Sequence, residues 1–188
     1  MGSRCAWYGR PRAPEPVQLT EAEGFYENQD PGQADMNLRG QFVTDAAGHI
    51  AFRSVKPVAY PIPVTGPVGD LLRAQGRHNL RPAHIHFMIN LAGYKTQFSQ
   101  VYCSDDPNLE TDVQFGVTHA LIGQVVRRTH EPAPDGDVTG PWYSLAHTFT
   151  IEPGSDALPR APISAKAEGE RPQRVVLQRR ATGTHGVW

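Results

Sequence analysis

An all-β sandwich is the fold class that this 188-residue chain predicts. Short apolar runs alternate with polar residues at period two, most clearly in residues 83–90 and 143–151, and that period belongs to half-buried strands. Gly, Pro and Asp punctuate these runs at short intervals, which favours many short strands joined by tight turns.

Taken in order, residues 38–44 and 50–55 read as two strands around the turn Asp45-Ala46-Ala47-Gly48, a hairpin in which Gly48 supplies a positive φ. Residues 57–69 carry four prolines and two glycines. Proline lacks the N–H that a ladder needs, so this stretch predicts an ordered loop and no central strand. Residues 70–75 predict one helical turn. Residues 83–90 and 95–102 predict two strands with a turn at Gly93. Residues 111–113 and 121–128 stay open, the second to either helix or strand. Residues 143–151 alternate and predict a final strand.

Both ends are irregular. Residues 1–16 are rich in Arg, Pro and Gly, and residues 165–188 are Arg-rich with little apolar patterning beyond Val175-Val176-Leu177. The latter is expected to be a disordered basic tail. A net charge of −1 and the lack of aromatic interleaving in the tail argue against nucleic acid as a partner. No apolar run approaches a membrane span, and the start lacks an apolar signal region. Two cysteines, Cys5 and Cys103, make no disulfide framework and match no zinc spacing. A cytoplasmic enzyme of one domain is expected.

The chemistry concentrates in Arg81-Pro82-Ala83-His84-Ile85-His86-Phe87. On a strand, His84 and His86 share one face while Ile85 and Phe87 share the other. Paired imidazoles on one face are a common way to hold a transition metal. Taken alone, the same pattern also describes an edge strand with two polar residues facing water. Upstream lie Gly24-Phe25-Tyr26-Glu27-Asn28 and Lys56-Pro57-Val58-Ala59-Tyr60-Pro61-Ile62-Pro63, with Tyr60 24 residues before His84 and Tyr26 34 before Tyr60. Singly, Tyr26 could be a turn residue, Tyr60 a packing aromatic, Arg81 a surface ion-pair partner and Gln100 a solvated strand residue.

Together these segments resemble the intradiol ring-cleavage dioxygenases, over roughly residues 22–154. The resemblance implies a β-sandwich core of that type, with short helices and irregular ends. It also implies a non-haem Fe(III) cofactor held by Tyr26, Tyr60, His84 and His86. Phenolate is a hard anionic donor. A free tyrosine has a pKa of about 10, so a strong Lewis acid such as ferric iron is needed to hold two of them ionised. Zinc prefers Cys, His and carboxylate, and the 2-His-1-carboxylate pattern of extradiol enzymes is a different donor set.

The resemblance further implies that a small aromatic diol chelates the iron through both oxygens and that both atoms of O2 enter the ring. Tyr60 would leave the metal and accept a substrate proton as general base. Arg81 would stabilise negative charge on the ring, and Gln100 would lie near it. The wording around Tyr60 favours hydroxyquinol as substrate, giving maleylacetate. The alternatives are catechol or a substituted catechol, giving cis,cis-muconate products, and a non-catalytic remnant that only binds. The other histidines match no ligand position.

The domain expectation is an atypical segment at 1–21, a truncated catalytic core at 22–164 and the basic tail at 165–188. The helical region with which family members make their homodimer has no counterpart before Tyr26. The expectation is therefore a sandwich with exposed edges and reduced stability.

Overall fold

A computed structural model of the chain describes residues 32, 37, 38, 40, 42–134, 136 and 138–157, together with the backbone of residues 2–9. Tyr26 and the 165–188 tail lie outside the described residues.

The fold is the expected all-β sandwich. Its strands are β1 (Gly2–Gly9), β2 (His49–Arg53), β3 (Tyr60–Pro61), β4 (Leu80–Arg81), β5 (His84–Ile89), β6 (Gln97–Cys103), β7 (Ile122–Arg128) and β8 (Trp142–Thr150), with helix α1 (Pro67–Ala74) between β3 and β4. Six strands form one sheet in the order β2-β1-β8-β7-β6-β5, and β3 pairs with β4 separately. β2 and β5 stand at opposite ends of that order, yet the Phe52 and Phe87 rings are 6.3 Å apart. Phe87 also lies 5.0 Å from Phe149 of β8. The sheet therefore folds over on itself, and its two halves share one core around Val101, Cys103, Leu145 and Phe149.

The sheet bends at the β6–β7 junction. Those strands run parallel for only two residue pairs, Tyr102↔Ile122 and Cys103↔Gly123. Beyond them, the Ser104 hydroxyl accepts the Val125 N–H at 3.0 Å, so a side chain completes what the ladder leaves unmade. At the far end, the turn around Gly93 (φ 81°) is tied to the tail of β8 through Lys95 N–H to Glu152 O at 2.8 Å and Gly154 N–H to Gly93 O at 2.9 Å.

Period-two alternation sorts β5. Ile85, Phe87 and Ile89 pack on the core, which leaves His84, His86 and Met88 on the opposite face. The open segment 121–128 resolves as strand β7, whose Gly123 packs under Val101 and Leu145. A smaller cluster of Val64, Leu72 and Val113 seats α1. Pro67 opens that helix with its pre-set φ, three residues earlier than the sequence suggested. Gly69 is required there, since a Cβ would lie 1.8 Å from the Val64 carbonyl oxygen.

Two expectations are corrected. The 45–48 turn exists, with Gly48 at φ 80° and Asp45 Oδ1 accepting the Ala47 and His49 N–H groups, but it closes no hairpin. None of the described residues of 38–44 is in a strand. Instead β2 pairs in parallel with β1, from Arg4↔His49 to Tyr8↔Arg53. β1 itself was not foreseen, and it also runs antiparallel to β8 from Gly2↔Thr150 to Gly9↔Tyr143. Among the described residues no helix is long and apolar enough to cross a membrane.

Phe149 is 3% exposed and touches both halves of the sandwich. Phe149→Ala is expected to cost about 3–5 kcal/mol of unfolding free energy, read as a lower urea midpoint at unchanged slope. A loss below about 1 kcal/mol would contradict a core shared by the two halves.

Candidate metal centre

The site grows from the break that Pro82 makes. Residues 60–62 and 79–81 clamp each other: Tyr60 pairs with Arg81, Ile62 N–H donates to Asn79 O at 2.9 Å, and the buried Asn79 amide donates to Ile62 O at 2.8 Å. Arg81 precedes a proline and is held extended. Pro82 cannot continue a ladder, so the chain leaves β4 and enters β5 at His84. Its carbonyl is then free to accept the His84 Nδ1–H at 2.7 Å. That bond selects the tautomer in which His84 Nε2 carries a lone pair.

His84 Nε2 and His86 Nε2 lie 3.1 Å apart. The Tyr60 ring sits 5.4 Å from the His84 ring, and Arg81 presents a terminal nitrogen to His84 Nε2 at 3.3 Å. Burial drives the His84 pKa down to about 4; the Pro82 bond opposes that shift, and the charge of Arg81 adds to it. Burial and Arg81 lower His86 as well. Both imidazoles are thus neutral at neutral pH, the state in which imidazole donates a lone pair to a metal.

The facing strand β6 supplies the rest. In register His84 opposes Tyr102 and His86 opposes Gln100, so all four side chains share one face. Gln100 Oε1 accepts from Arg81 at 3.3 Å, and the Tyr102 hydroxyl accepts from the other terminal nitrogen at 2.7 Å. Arg81 is only 4% exposed, which removes the reading of a surface ion pair. Burial works against its charge, but the Asp112 hydrogen bond and the phenols of Tyr60 and Tyr102 more than offset that and raise its pKa. Burial pushes the Tyr102 phenol up, keeping it a neutral hydroxyl.

Of the residues singled out in the sequence, Tyr60, Arg81, His84, His86 and Gln100 come together, and Tyr26 lies outside the described residues. Tyr102 and Asp112 were missed. Tyr102 follows Gln100 by two on a strand, so alternation alone could have placed it on the site face. Asp112 carries no such signal, since it follows a turn of 3-10 helix (Leu109–Thr111) 31 residues after Arg81. Among the other described histidines, His78 bonds Thr111 Oγ1 at 2.8 Å and accepts the Leu80 N–H at 3.1 Å. Cys103 is buried, and burial pushes its thiol up to about 12, which leaves it inert. A cleft of about 620 Å³ beside α1 is lined by Val68, Leu71, Val113 and Phe115, and by none of Tyr60, His84 or His86.

Residues 2–151 match the family profile described as Dioxygenase. The chain is 43% identical over 132 residues to hydroxyquinol 1,2-dioxygenase of Rhizobium sp. (strain MTP-10005), covering 69% of this chain and 45% of that protein. It is 45% identical over 147 residues to 6-chlorohydroxyquinol 1,2-dioxygenase of Cupriavidus pinatubonensis (strain JMP 134 / LMG 1197), covering 77% and 50%. The solved structure of hydroxyquinol 1,2-dioxygenase from Pseudomonas putida DLL-E4 superposes with a TM-score of 0.59 at 35% identity, over 82% of this chain and 58% of that one. The chain belongs to the intradiol ring-cleavage dioxygenase family. It spans about half the length of the curated relatives it matches.

Gly116 packs against this network: a Cβ there would lie 2.7 Å from the Tyr102 hydroxyl and 3.2 Å from the Arg81 guanidinium. Gly116→Ala is expected to displace both and cost about 1–3 kcal/mol. Chemical denaturation checks this, and an unchanged midpoint would contradict the close approach.

Proposed function

We propose that this chain forms the metal-binding and ring-facing part of an intradiol dioxygenase that cleaves hydroxyquinol (benzene-1,2,4-triol) to maleylacetate. The observation that carries the reading is the convergence of His84 Nε2 and His86 Nε2, with the Tyr60 ring and the Arg81 guanidinium on the same imidazole.

The donor set fits ferric iron. His84 and His86 are neutral imidazoles. Among the described residues no group of three or more His, Cys, Asp or Glu side chains is placed to hold a metal ion, and the phenol ring of Tyr60 lies 5.4 Å from the His84 ring. Tyr60, His84 and His86 would hold Fe(III), with Tyr26 as the fourth ligand. Bound there, ferric iron would supply Lewis acidity that makes the ring of a chelating diol open to attack by O2.

The chain's own residues do the remaining work. Pro82 fixes the His84 tautomer. Tyr60 takes a proton from a substrate hydroxyl onto its phenolate oxygen, acting as general base. Arg81, desolvated and fully charged, faces the negative charge that develops on the ring, where a preorganised cation is worth more than in water. Gln100 accepts from Arg81 on the site side and keeps its terminal nitrogen in place.

The identity to hydroxyquinol and chlorohydroxyquinol enzymes supports the triol as substrate. Catechol offers the same two chelating oxygens and is the second reading. The visible spectrum of the iron-supplied protein tests the proposal. The expected result is a broad tyrosinate-to-ferric band that shifts on anaerobic addition of hydroxyquinol and shifts less with catechol. His86→Ala should lower bound iron, and Tyr60→Phe should weaken the band. A colourless protein indifferent to both diols would overturn the reading in favour of a chain that does not assemble the centre. A larger response to catechol would select the second substrate.

A further inference from the structure

The Arg81 guanidinium is held from behind. Its Nε lies 3.4 Å from Asp112 Oδ1, and both side chains are almost fully buried. That distance is long for a hydrogen bond, but two charges in so dry a place are little screened. The carboxylate is in turn oriented by its own segment: Oδ2 accepts the Gly116 N–H at 2.8 Å and Oδ1 the Gln114 N–H at 3.3 Å. One terminal nitrogen donates to the Tyr102 hydroxyl at 2.7 Å, and Tyr102 is wholly buried. A guanidinium is a rigid planar fork. Once two of its nitrogens are fixed, the third has one direction left, and here that direction is towards His84 Nε2 and Gln100 Oε1, each at 3.3 Å.

We propose that Asp112 and Tyr102 are positioning residues for ring cleavage: they lock the buried edge of Arg81 so that its remaining terminal nitrogen meets the reacting ring. This rests on the reading of Arg81 as the group that stabilises charge on that ring. Neither residue touches the ring; both act through Arg81. The loss therefore falls on kcat, because the charge they serve develops only in the transition state.

Tyr102→Phe, Asp112→Asn and Arg81→Met are compared singly and in pairs in the iron-supplied full chain, with hydroxyquinol and O2 uptake as the readout. A displaced charge of this kind costs about 10- to 100-fold in kcat. Tyr102→Phe is expected at the low end and Asp112→Asn at the high end, each with KM little changed. In the Arg81→Met background neither should slow turnover further, as expected of groups that act as one unit.

A second readout needs no turnover. In the metal-free full chain, the Arg81 Nε–H should give a slowly exchanging NMR signal, and Asp112→Asn should collapse it. In Tyr102→Phe, which removes one oxygen and keeps the ring, rotation of the guanidinium should quicken. Losses that multiply in the Arg81→Met background would overturn the proposal, and so would an Arg81 signal indifferent to both substitutions. If Arg81→Met alone turned over like the unsubstituted chain, the ring-stabilising reading of Arg81 would fail, while the NMR result would still decide whether the two residues hold it.

Discussion

The register between β5 and β6 is the constraint on which the site depends. His84 faces Tyr102 and His86 faces Gln100, and on the other side of the same strand Ile85, Phe87 and Ile89 enter the core. A slip of one residue would exchange the two faces. It would bury two imidazoles among Phe52, Phe149 and Val101, and turn three large apolar side chains to solvent. The apolar packing that folds the sheet over is thus the same force that aims the imidazoles, and neither can change without the other.

Pro82 is the second control point. It ends the β3–β4 ladder and separates it from β5, so Arg81 and His84 belong to different ladders although they are three residues apart. Its carbonyl, left without a strand partner, is used to set the His84 tautomer. Tyr60 reaches the same place from the other ladder, which Asn79 and the small cluster around α1 hold in position. The 112–116 segment closes the arrangement from behind, and Val113 links it to that cluster while Asp112 and Gly116 meet Arg81 and Tyr102. A buried cation, a buried carboxylate and a buried phenol are costly singly. Their mutual hydrogen bonds make the set tolerable and rigid.

Much of this was legible in the sequence wherever local pattern and tertiary environment agree. Strands β5 and β8 were readable because one face of each is largely apolar and the other more polar, and β6 because the Gly93 turn marks a partner strand after β5. The His84–His86 pair was readable because its spacing matches the strand period. β7 was ambiguous because Val125-Val126 flanked by Gln and Arg suits either period; the packing of Gly123 under Val101 and Leu145 decides for strand. Residues 38–44 were misread because a turn with Asp and Gly looks alike whether or not it joins two paired strands. The Asp45 carboxylate completes that turn alone. β1 escaped notice because Arg, Pro and Gly dominate the first sixteen residues and hide a short strand-compatible run.

By itself the sequence determined the fold class, the alternation that separates site from core, and the residue types available for chemistry, since these follow from side-chain period and donor chemistry within one segment. Only the tertiary structure decided which distant residues meet: that Tyr60 lies against His84, that Arg81 is buried and not on the surface, and that Asp112 and Tyr102 stand behind it. Those contacts join segments whose separation along the chain is set by loops, and the closing of a loop leaves no periodic mark in the sequence. What selects them is the packing of a sheet folded onto itself, which exists only once the whole chain is in place.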